Sequence, residues 1–92
     1  MSEHDKDLMG RVEFGIEVEA FIRGPIGAFL VERMHEDGDR AVEALTTVDP
    51  TNMGRIVELQ YAIRRSHDIE NWLGGIIQEG YHAEEQLKEK EI

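Results

Sequence analysis

Two pairs of side chains in this sequence have the spacing of metal ligands: Glu32 with His35, and Glu79 with His82. On a helix, residues three apart share a face, and Glu-x-x-His supplies a carboxylate and an imidazole to di-iron centres in four-helix proteins. In a chain with 14 glutamates and 4 histidines, chance alone supplies about half of one such pair. Folding the chain antiparallel brings Glu79 and His82 opposite residues 17 to 20, where Glu17 or Glu19 can join them. His67 can approach Glu32 and His35 in the same way. Neither cluster reaches a buried set of four carboxylates and two imidazoles without a second subunit. The expectation is therefore four surface residues, with no metal and no cofactor.

Nucleophilic chemistry has less to work with. There is no cysteine, and Ser2 lies near the N-terminus. Ser66, His67 and Asp68 are consecutive, and neighbours on a helix point about 100° apart, so they form no relay. The glycines are scattered through helical segments and build no phosphate-binding loop after a strand. No enzymatic activity is expected. Arg64-Arg65, with Arg55 earlier, makes a small basic spot on a chain of net charge −10. These arginines are expected to pair with carboxylates of the neighbouring helix; the functional reading is contact with an acidic partner.

Any such residues must be positioned by helices. Both prolines sit at natural breaks, Gly24-Pro25 and Asp49-Pro50. Proline suits the first position of a helix, and Asp49 can cap the helix that follows, with Thr51 and Asn52 as alternatives. After Pro25 the residues Ile26, Leu30, Met34, Ala41, Leu45 and Val48 recur at helical spacing, widened by Phe29 and Ala44. Gly38 interrupts that stripe. The last segment carries Ile56, Leu59, Ile63, Ile69, Leu73, Ile76, Ile77, Ala83 and Leu87 on one broad face. The first segment is ambiguous, since Val12, Ile16, Ala20 and Phe21 suit a helix while Phe14, Ile16 and Val18 suit a strand. An isolated strand has nothing to pair with, so helix is expected.

The expected fold is all-α, an antiparallel hairpin whose first arm is broken. Two shorter helices, about 8–23 and 25–47, pack on one long helix, about 51–88. Residues 1–7 are expected as a flexible acidic N-terminus and 89–92 as a frayed charged tail. The register puts the Gly24-Pro25 break opposite Gly74-Gly75, where glycines would permit close approach and Trp72 would fill the bend.

At 92 residues a chain buries only roughly 60–65% of the surface it exposes when unfolded, so stability is often borrowed from a partner. Trp72, Tyr61, Tyr81 and Phe29 suit a core by spacing, but a two-layer hairpin has a thin inside. One partner helix cannot cover Ile69, Trp72, Leu73, Ile76 and Ile77 together. Contiguous exposed apolar surface of that kind marks an interface, and these five are the expected contact residues of a homo-oligomer. The acidic balance opposes direct binding to nucleic acid. No apolar run reaches the roughly 18–20 residues of a membrane span, and the polar start MSEHDKDLMG is unlike a secretory signal.

The stretches GPIGAFLVERM, EALTTVDPTNMGRIVELQ and NWLGGIIQEGYHAEEQL resemble, in that order, small helical proteins of tailed bacteriophages and prophages that have no assigned function. The matching features are a Pro-x-Gly helix start, a Val-Asp-Pro turn, a Leu-Gln pair and a Trp-Leu followed by Gly and Ala-Glu. The resemblance runs from Gly24 to Leu87 and transfers no residue roles. It implies a helical hairpin in a phage setting, in the cytoplasm of a bacterial host or built into a virion. The expected function is a self-associating interaction protein for phage assembly or an accessory virion component, with phage structural or host proteins as further partners. One alternative is an acidic inhibitor of a host nucleic-acid-binding protein; another is a metal-binding helical bundle using the Glu-x-x-His pairs.

Overall fold

The computed structural model describes residues 2–90. They form three helices, α1 (Glu3–Arg23), α2 (Pro25–Thr47) and α3 (Met53–Lys90), and no strand occurs among the described residues. The all-α class expected from the sequence is the class that forms, and α2 spans the residues its periodicity indicated. α1 starts earlier than expected. Ser2 caps it, its hydroxyl accepting the Asp5 N–H at 3.1 Å, with Glu3 and Asp5 in the first turn. Acidic residues there are favoured by the helix dipole. Residues 3–7, expected as flexible, are therefore helical. At the other end Glu89 and Lys90, expected to fray, belong to α3; Met1, Glu91 and Ile92 lie outside the described residues.

α1 and α2 meet at one extended residue, Gly24 (φ −73°, ψ 162°). In an unbroken helix the ring of Pro25 would strike the carbonyl of the residue four before it, Phe21. The chain instead leaves the helix for a single residue and restarts. The Gly24 N–H donates to the carbonyls of Ala20 and Phe21, at 3.0 and 3.2 Å, so the break stays tight. Its tightness depends on Gly27, because a Cβ there would sit 1.7 Å from the Phe21 carbonyl oxygen.

Between α2 and α3 the Asp49 carboxylate accepts the backbone N–H of Thr51 at 2.9 Å and its hydroxyl at 2.8 Å. The helix cap itself is Asn52, whose Oδ1 accepts the Arg55 N–H at 3.1 Å. Asp49 thus shapes the turn with Pro50, while the capping role expected of it falls to one of its two alternatives.

Both shorter helices lie along α3 and run against it. The Lys90 ammonium donates to Asp5, Gly15 meets Gly80, and the Ser66 hydroxyl donates to the Met34 carbonyl at 3.2 Å. The result is a rod of 61 × 27 × 18 Å with a radius of gyration of 18.7 Å, against about 12 Å for a compact chain of this length. α3 alone, 38 residues at about 1.5 Å each, spans roughly 57 Å of it.

The seam is made of small residues. Gly15 and Gly80 touch backbone to backbone, a built Cβ on Gly15 lying 3.2 Å from the Gly80 Cα. Gly38 presses on Ser66, where a Cβ would fall 2.6 Å from the hydroxyl. Leu8, Ala41, Leu59 and Ala83 are the buried apolar side chains among the described residues. On α2 the inward line is Gly27, Val31, Met34, Gly38, Ala41 and Leu45, continued by Val48 just past its end, whereas Ile26, Phe29 and Leu30 are exposed. The stripe expected there is therefore turned by about one residue in its first half, because glycine carries no hydropathy signal yet fits the closest contact.

Gly74 and Gly75 do not provide close packing. A Cβ on either would meet nothing within 4 Å. Interpolating between the Gly15–Gly80 and Met34–Ser66 contacts does bring Gly24 level with Leu73 and Gly74, but the backbones do not touch there. Trp72 does not fill the bend and stands 67% exposed. Gly74→Ala should therefore raise stability by roughly 0.5–1 kcal/mol, by removing glycine's backbone entropy from a helix interior. Gly80→Leu should cost about 1–3 kcal/mol by forcing the seam apart. Thermal unfolding of the two variants against wild type checks both signs.

Candidate interaction surface

The inward residues define two flanks of the rod. On each helix the residues just before an inward one lie to one side, since successive residues turn by about 100°. Antiparallel neighbours present these preceding residues to the same flank. A groove of about 300 Å³ fixes that side: Leu30, Arg33 and Asp37 of α2 precede Val31, Met34 and Gly38, and Arg65 of α3 precedes Ser66. Ala62 and Ile69 complete its wall.

The same rule places Trp72, which precedes Leu73, and Phe14 and Phe21, which precede Gly15 and Ile22, on this flank. Ile26 joins them ahead of Gly27. Phe14, Phe21, Ile26, Leu30, Ile69 and Trp72 are all exposed. The opposite flank carries fewer large apolar groups, among them Ile16 and Tyr81, which line a small cleft beside Gly15 and Gly80.

Of the five residues expected at a contact, Ile69 and Trp72 are exposed on the groove flank, whereas Leu73, Ile76 and Ile77 are half-buried and shared with the seam. Phe14, Phe21, Ile26 and Leu30 belong to the same surface and were not picked out by reading α3 alone. The aromatics Phe29, Tyr61, Trp72 and Tyr81, whose spacing suits a core, are each more than half exposed.

The arginines differ from expectation in a way that bears on this surface. Eight of the ten Lys and Arg side chains approach a carboxylate within 4.0 Å. Arg64 and Arg65 are the two that have no carboxylate at that distance among the described residues. Arg64 lies over the Tyr61 ring at 5.8 Å from its centroid, and Arg65 borders the groove. Arg55 pairs with Glu58 of its own helix at 3.1 Å rather than with a neighbouring helix.

The metal-ligand pairs stay apart. His35 faces Glu70 at 3.6 Å, while Glu19 is engaged by Arg23 at 2.7 Å and by the Tyr81 hydroxyl at 2.8 Å. Among the described residues no three His, Asp or Glu side chains gather at metal-binding distances. No described helix is long and apolar enough to cross a membrane.

Three ionisable groups mark polar ties, two between α1 and α3 and one within the α2–α3 turn. The hydrogen bond donated by Lys90 lowers the Asp5 pKa, and the Thr51 N–H lowers that of Asp49. Donation to Glu19 raises the Tyr81 pKa above its ordinary 10.0, since the phenolate would lose that bond and face the carboxylate. The Tyr81 contribution is complete below pH 10 and fades as the phenol ionises. Glu19→Gln should bring the Tyr81 titration back toward the ordinary phenol value of 10.0, as read by the absorbance of the phenolate.

The chain matches no known family model, no curated protein and no solved structure.

Proposed function

We propose that this protein is a non-enzymatic interaction protein that works as a self-associating helical hairpin. The observation that carries the reading is surface left uncovered. The chain exposes 7052 Å², whereas a compact monomer of 10.5 kDa exposes roughly 5,400 Å². The excess, about 1,600 Å², is twice what one partner gives to a standard interface. Six of the exposed large apolar side chains, Phe14, Phe21, Ile26, Leu30, Ile69 and Trp72, share one flank.

Aromatic and aliphatic anchors near the middle of a patch dominate binding energy once desolvated, and Trp72 holds that position. The phage setting rests on the resemblance across Gly24–Leu87. Within it the protein is a particle-assembly factor or an accessory virion component, and its further partners are phage structural or host proteins. Such a protein acts by offering a helix face.

Light scattering across a concentration series tests the reading. Wild type is expected to be oligomeric at both low and high salt, because an apolar contact holds when surface charges are screened. Trp72→Ala with Ile76→Ala should shift it to monomer. Trp72→Ala alone, at an exposed position, should shift it in the same direction with the helix content unchanged. Wild type that is monomeric throughout overturns the proposal. Association lost at high salt would point instead to a partner held by charge, as an acidic inhibitor would be.

A further inference from the structure

The flank carries a charge pattern that the proposed self-association does not by itself require. On α3 the residues Arg65, Ile69, Trp72, Ile76 and Glu79 fall within roughly an 80° arc at 100° per residue. Trp72 is central, with Arg65 two turns before it and Glu79 two turns after it. Ile69 and Ile76 flank it almost symmetrically. The stripe therefore reads the same in both directions in apolarity and with opposite sign in charge.

Both end charges are available among the described residues. Arg65 is one of two Lys or Arg side chains with no carboxylate within 4.0 Å, and Glu79 has no cation within that distance. Trp72 stands level with the break between α1 and α2, near the middle of the 61 Å rod. A two-fold axis at this level leaves both halves of the flank covered.

We propose that the partner on this flank is a second copy of the chain, running antiparallel, with the two-fold axis at Trp72. This rests on the self-association reading above and specifies its register. Arg65 of each copy then faces Glu79 of the other, giving two symmetry-related ion pairs around a Trp72–Trp72 centre. Ile69 and Ile76 of one copy meet Ile76 and Ile69 of the other. A closed two-fold contact uses the same patch on both subunits, and a stripe that is its own charge complement satisfies that condition. The pair of hairpins forms an up-and-down four-helix bundle, with α3 beside its copy and the broken arms beside each other. Arg64 points away from the contact and remains over Tyr61.

A charge swap tests the register. The dimer dissociation constant is measured by sedimentation equilibrium at low salt for Arg65→Glu, Glu79→Arg, both together, and Arg64→Glu. Each single reversal at the stripe places like charges opposite one another at both symmetry-related contacts. It is expected to weaken the dimer about tenfold. The double variant restores the complement and should return to within about threefold of wild type. Arg64→Glu changes net charge as Arg65→Glu does and is expected to leave the constant near wild type. A dimer that ignores the stripe reversals, or in which the two losses add rather than cancel, overturns this register while self-association stands. A chain monomeric at every concentration overturns both.

Discussion

The approach of α1 to α3 at Gly15 and Gly80 governs how the rest of the molecule is arranged. Backbone meets backbone there, and the separation of the two helices is set by atoms rather than by side chains that can repack. Farther along, Gly38 against Ser66 keeps α2 and α3 similarly close. A narrow seam of this kind has no volume for aromatic rings. They go to the edges, where they are more than half exposed, while leucine and alanine fill what space there is. The bare flank is thus a consequence of the tight seam.

Much of the fold was readable from the chain because the signals were covalent or periodic. Pro25 cannot continue a helix through Phe21, so the break and the start of α2 follow from one residue. The apolar run from Ile56 to Leu87 has a single period and gave α3 its inward face, apart from Ile69, which lies exposed at the edge. The inward faces of α1 and α2 were harder. Their closest contacts are glycines, which contribute nothing to a hydropathy stripe, and the eye is drawn to Ile16, Phe21, Ile26 and Leu30 instead. The capping signal of Ser2 with acids after it was available in the first residues but was masked by their polarity.

The candidate surface was legible in part for a related reason. Trp72 and Ile69 stand out on one helix, but the share of the flank contributed by Phe14, Phe21 and Leu30 depends on which way three helices face one another. That is a property of packing rather than of any local window. That Arg64 and Arg65 meet no carboxylate among the described residues is likewise invisible in a sequence with twice as many acids as bases, where composition alone suggests that every cation finds one.

The turn between α2 and α3 has a consequence for the order in which the structure forms. Asp49, Pro50 and Asn52 bring two helices together across a handful of residues, so that arm closes with little loss of chain entropy. The contact between Asp5 and Lys90 joins residues 85 apart in sequence, and local contacts form before distant ones. By sequence separation the α2–α3 arm is the easier one to close, and α1 has in it a surface on which to dock.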